Sequence, residues 1–187
     1  MMKKILNPFP SLPLRQALCW GIAALILSAI FCWQIGLRIT SLTQVNYAGG
    51  SLASATLQQV VVWLLFVVVL YVAALIFSRE KVHFWDVAAS NLFARIPFDV
   101  MLLIFAIPMV RSVTGLMMDG SIATATEYAT TLSLIGLVAT VFSVWYFYWS
   151  YKAFAQATNL RNGRGVGVFI GCFILCYILS GVVMRFV

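Results

Sequence analysis

Five apolar stretches separated by short polar breaks occupy nearly all of this 187-residue chain, and each is long enough for a helix to cross a hydrocarbon layer of about 30 Å. The predicted spans are 17–37, 57–77, 84–110, 130–151 and 166–187, giving one membrane domain over 17–187 behind an N-terminal segment, 1–16. Composition agrees. With 63% hydrophobic and 9% charged residues and a mean hydropathy of +1.02, too little polar surface remains for a water-exposed globule. The loops are too short to build a second, soluble core. The expected fold class is therefore an all-α integral membrane protein, a bundle of five transmembrane helices.

A net charge of +7 raises nucleic acid or anionic lipid as partners, and the placement of the basic residues decides between readings. With the N-terminus inside, Lys3, Lys4, Arg15, Arg79, Lys81, Lys152, Arg161 and Arg164 are cytoplasmic, Arg38, Arg111 and Arg185 are outside, and Arg95 lies within a span. Eight against three predicts a cytoplasmic N-terminus and an outer C-terminus. Asp119 and Glu127 fall in the outer loop between spans three and four. The basic excess is read as topology, with the lipid bilayer as partner and no nucleic acid.

Lys3 and Lys4 precede an apolar run that is long and has no small-x-small cleavage site, which reads as a retained signal anchor. Before it, residues 7–13 hold three prolines and are expected to lie extended along the cytoplasmic face, as a docking strip or as a stiff lead-in to span one. The outer segments 38–56, with Gly49-Gly50, and 111–128, with Gly115 and Asp119-Gly120, read as plain surface loops.

The third span places Asp86, Asn91, Arg95 and Asp99 in or beside the membrane. A central Arg costs about 2.5–3.5 kcal/mol on insertion scales, so it faces a partner or a wet cavity. Asn91, Arg95 and Asp99 share one helical stripe, and Arg95 with Asp99 is a natural ion pair. Pro97 predicts a kink or break there, and Pro108 repeats the effect near the outer end. Three readings stay open: a mid-membrane binding site on a discontinuous helix, an internally satisfied pair that fixes packing, or an interfacial helix over 81–96 that would change the span count.

Trp145, Tyr148, Trp149 and Tyr151 crowd the end of span four beside Lys152 and read as an interfacial belt in preference to an aromatic cage. Gly167 and Gly171 form a small-xxx-small pair suited to close helix contact, within the bundle or between protomers. Cys19, Cys32, Cys172 and Cys176 read as small core residues, and His83, the single histidine, as a loop or interfacial residue. No metal or cofactor is expected. The chain offers no Ser/His/Asp order, paired-carboxylate motif, HExxH or phosphate loop, so catalysis is not expected.

Three blocks carry a family resemblance: Lys4-Ile-Leu-Asn-Pro-Phe before span one, Phe84-Trp-Asp-Val through Ala94-Arg-Ile-Pro97, and Tyr151-Lys-Ala-Phe-Ala-Gln-Ala-Thr-Asn-Leu160 before a glycine-rich fifth span. Together they resemble bacterial members of the Yip family, five-span proteins with a cytoplasmic N-terminus. Eukaryotic Yip proteins are associated with Rab GTPases and vesicle trafficking, and the resemblance implies a bacterial inner-membrane protein with an interaction or membrane-organising role. Its partners would be other membrane proteins or a second copy of itself. A small carrier or channel working through Asn91, Arg95 and Asp99 is the alternative.

Overall fold

A helix in lipid is apolar on every side, so its inward face is marked by residue size and polarity, not by hydropathy. The computed structural model describes residues 7–78, 80–118 and 128–186. In it, Leu14–Ile35, Leu52–Phe77, Phe84–Ala106, Ala129–Thr158 and Gly163–Val183 are helical stretches long and apolar enough to cross a membrane. The protein is an all-α integral membrane bundle. Lys3, Lys4, Arg79, Asp119, Gly120 and Glu127, which the sequence reading used, lie outside the described residues.

Helix α1 (Leu14–Ile35) begins after Pro13 and ends at Gly36, whose φ of 73° is a left-handed conformation that glycine adopts without strain. Its buried residues, Ala17, Gly21, Leu25, Ser28, Ala29 and Cys32, fall on one face of the helix and, Leu25 apart, are small. That face receives the third stretch. A Cβ on Gly21 would sit 2.7 Å from Leu92 Cγ, so only glycine permits this approach.

The third stretch is segmented. Helix α3 (Phe84–Ala94) passes through Arg95 into α4 (Ile96–Leu102), a 3-10 turn covers Leu103–Ala106, and Ile107 is extended before α5 (Pro108–Met118). Pro97 stands in the first turn of α4, where its missing N–H costs least. Arg95 itself stays helical, its N–H reaching Leu92 O at 3.3 Å and its carbonyl accepting from Phe98 and Asp99. The fuller break comes at Ile107, so the stretch ends at Ala106 and not at 110. It runs alongside α1 in the same direction, with Leu92 at Gly21 and then Asp99 and Leu103 beside the Ser28–Gln34 part of α1. Such side-by-side packing excludes the interfacial placement of 81–96.

Helix α2 (Leu52–Phe77) starts five residues before the predicted 57, because Ser51 caps it by accepting from Ser54 N–H at 3.1 Å. Helix α6 (Ala129–Thr158) runs seven residues beyond Tyr151 and ends at Asn159, which holds φ 57°. Helix α7 (Gly163–Val183) is capped by Asn162, which accepts from Gly165 N–H at 3.1 Å. Gly165 also lies against the Leu160 carbonyl, where no Cβ could fit. The α3–α4 stretch packs against α1, α2 and α6, while α7 packs chiefly on α2. Phe66, Phe147, Phe154, Phe169 and Phe173 fill the space among α2, α6 and α7.

Three expected irregular segments are ordered, and in the outer segment 111–128 residues 111–118, Gly115 included, belong to α5. Within 38–56, strand β1 (Leu37–Ile39) pairs antiparallel with β2 (Val45–Tyr47). This hairpin buries Leu37, Ile39 and Leu42. Ser41 Oγ lies 3.0 Å from Ser180 Oγ, which also accepts from Leu42 N–H at 3.2 Å, and Tyr47 O–H donates to Phe105 O at 2.8 Å. Burial pushes the Tyr47 phenol pKa up, against the opposing pull of Arg111. Residues 7–13 are not fully extended either, since Phe9–Ser11 forms a 3-10 turn that sinks Phe9 against Phe93 and Trp149.

Gly167 and Gly171, expected at a helix contact, face open space on the outside of this single chain, and the close approaches are made by Gly21 and Gly165. Gly21→Val should therefore lower the unfolding free energy in detergent by about 1–3 kcal/mol, the cost of overpacking, whereas Gly171→Val should leave it unchanged. Equilibrium unfolding in mixed SDS micelles, followed by tryptophan fluorescence, checks both; equal stability of the two variants would contradict the packing described.

Candidate functional site

Three spans meet in a polar cluster. Gln59 on α2 and Arg95 between α3 and α4 are almost fully buried, at 0% and 4% exposure. Arg95 Nη2 donates to Gln59 Oε1 at 3.1 Å, Nη1 donates to the Gln59 carbonyl at 3.3 Å, and Nε donates to Asp99 Oδ1 at 3.4 Å. The guanidinium also stands 5.4 Å from the centre of the Phe98 ring, within cation–π range. Ser28 on α1 completes the cluster, donating to Gln59 Oε1 at 2.9 Å. Gln59 Nε2 points at Cys32 Sγ, 3.9 Å away. Arg95 and Asp99 are thus paired, as their spacing predicts.

The pair is one part of a larger arrangement. The Arg95–Asp99 contact is long and single, not bidentate, and the shorter bond from the guanidinium goes to Gln59 on another helix. A sequence signal for Gln59 existed: Gln58-Gln59 interrupts an otherwise apolar run. Starting span two at 57 placed both at the headgroup edge. With the helix starting at Leu52, five residues earlier, Gln59 lies about 7.5 Å further in at 1.5 Å per residue. Gln58, also buried, takes Arg38 Nε at 2.7 Å once its amide oxygen is turned toward that side chain.

The other predicted residues separate from this cluster. Asn91 is buried, but its Nδ2 donates to Val87 O on its own helix at 3.1 Å and its Oδ1 has no partner. It shares the stripe and not the network. Asp86 lies in the first turn of α3, where a carboxylate suits the helix dipole, and lines a separate cavity with Phe9, Pro10, Ser90 and Gln156.

Of the aromatic group, Trp149 is buried at 8% exposure, stacked on Phe93 at 5.4 Å and met edge-on by Phe9. It is a packing residue and not a membrane-facing anchor, because the Phe9 turn closes over it. Trp145 is half-buried in the same group. Tyr148 is exposed, with Lys152 Nζ 5.3 Å from its ring centre, and Tyr151 is half-buried edge-on to Phe169. Cys32, Cys172 and Cys176 are buried and Cys19 is exposed.

A crevice of about 430 Å³ opens between α1 and α4, lined among others by Leu27, Ser28, Phe31, Gln34, Asp99 and Leu103. It reaches the Asp99 side of the cluster. Arg95 and Asn91 do not line it. The arrangement can hold three helices in register and can present one carboxylate sideways. It brings together no nucleophile, base and oxyanion donor set among the described residues.

Removing the Gln59 side chain strips an acceptor from a buried cation, while removing the Ser28 hydroxyl takes away one neutral donor, shared between Gln59 Oε1 and the Leu25 carbonyl. Gln59→Met is expected to cost about 1–3 kcal/mol, and Ser28→Ala about 0.6 kcal/mol, the average for membrane side-chain hydrogen bonds. SDS unfolding titrations measure both, and the ranking would be refuted by an equal loss. Comparison with family models, with curated proteins and with solved structures finds no match to this chain.

Proposed function

We propose that this chain is a non-enzymatic membrane-organising protein of the Yip type, acting through contacts with other membrane proteins or with a second copy in the bacterial cytoplasmic membrane. The observation that carries this reading is the destination of the Arg95 donors. They end on Gln59 and Asp99, groups of the same bundle, so the costly charge is used to fix three helices and not to hold a ligand. A rigid bundle of this kind suits a scaffold. The outer half of α6 supports the same reading, since Leu137 and Val141 are 62% and 59% exposed and available to a neighbour.

The crevice beside Asp99 favours the second reading, a small carrier. The two readings part on water. In a cysteine-free background on oriented vesicles, Ser28→Cys and Asp99→Cys are expected to resist a membrane-impermeant thiol reagent that labels the exposed control Ser112→Cys. A photo-crosslinker at Leu137 or Val141 should then give discrete protein adducts. Labelling at 28 and 99 from the aqueous side, with lipid adducts alone at 137 and 141, would reverse the order of the two readings.

A further inference from the structure

A further polar cavity, which shares no lining residue with the Arg95 cluster, lies at the end of the bundle that the basic excess assigns to the cytoplasm. It holds about 260 Å³ and is lined by Asn7, Pro10, Tyr151, Lys152, Gln156 and Arg161 together with Ala155. Both of its charged residues are cations. Arg161 Nη2 donates to Gln156 Oε1 at 3.1 Å, which leaves its remaining donors uncommitted among the described residues. Lys152 lies over the rings of Tyr148 and Tyr151, with Nζ 5.3 Å and 5.8 Å from their centres.

The acids that might neutralise them are placed elsewhere. Glu80 is taken by Asn159 Nδ2 at 2.8 Å, Asp86 lines the neighbouring cavity, and Asp99 belongs to Arg95. Among the described residues neither Lys152 nor Arg161 meets a carboxylate within salt-bridge distance. Asn7 and Gln156, which line the same cavity, each carry an amide nitrogen with N–H groups able to donate. Two cations, a phenol, two carboxamides and a volume of this size make a receptor for a compact anion with several acceptor oxygens.

We propose that this cavity binds a phosphate group, with Lys152 and Arg161 as its counter-charges and with Tyr151 and the Gln156 and Asn7 amides as hydrogen-bonding partners. The exposed ring of Tyr148 below Lys152 sets the depth of the site at the headgroup level, where phosphate is abundant as a lipid ester. Basic pockets at such levels select anionic headgroups. A phospholipid headgroup and a soluble phosphate ester share this chemistry.

Native mass spectrometry of the full chain in detergent tests the site, with phosphatidylglycerol and phosphatidylcholine offered in equal amounts. The wild type is expected to retain phosphatidylglycerol preferentially, and Lys152→Gln with Arg161→Gln to reduce that preference about thirtyfold, two charges at the usual worth of a juxtamembrane cation. Lys152→Arg with Arg161→Lys keeps the charge and should keep the preference. Displacement of the lipid by glycerol phosphate would identify a soluble ester as the ligand, and resistance to it would identify the headgroup. An unchanged preference in the charge-removed variant, or an equal loss in Arg111→Gln at the opposite end, would overturn the proposal.

Discussion

An ionised side chain inside a bilayer must end on partners that the fold itself supplies, and for Arg95 the supply comes from a neighbouring helix as well as its own. Gln59 offers both its amide oxygen and its main-chain carbonyl, and the same amide oxygen accepts from Ser28. One glutamine therefore couples α1, α2 and the α3–α4 junction. The cluster sets the relative height of these helices, since a shift by one turn of any of them would strand a buried donor. Packing then follows, because Gly21 and Leu92 lie on the same α1–α3 interface, about two turns of α1 away from Ser28.

Where lipid removes the ordinary hydrophobic contrast between inside and outside, close packing and scattered polar bonds decide which face turns inward. Helix α1 illustrates it with a stripe of Ala, Gly, Ser and Cys, flanked by exposed Trp20, Ile26 and Leu27. Bulk points to lipid. The N-terminal end is closed differently, by an aromatic group in which Phe9, Phe93 and Trp149 bury one another.

Much of the architecture was legible in the sequence. The five spans, the interruption of the third and the Arg95–Asp99 pair follow from run length, proline position and four-residue spacing. What escaped depends on partners far away in the chain. Gln59 was hidden because its depth depends on where the helix starts, and a serine cap moved that start outward. The β1–β2 hairpin was hidden because three-residue strands carry almost no alternation, and the groups that hold it to the bundle, Phe105 and Ser180, lie far along the chain. Gly167 and Gly171 show the converse: spacing reveals a small-residue face but not what that face meets. Phe9 could not be placed from a proline-rich stretch alone, because its burial depends on residues of α3 and α6.

The hairpin between the first two spans also bears on the order of assembly. Chains are made from the N-terminus, and its eleven residues are available well before α7 emerges. Ser41 and Leu42 then present a hydroxyl and an N–H at a fixed height, and Ser180 near the far end of α7 is the group that meets them. The exposed face of α7, which includes Ile170, Ile174, Ile178 and Val182, chooses no one depth in lipid, so the choice falls to its few polar and close-packed contacts. The early hairpin acts as a doorstop for the late helix, ending its travel at the one position where a buried hydroxyl finds its partners.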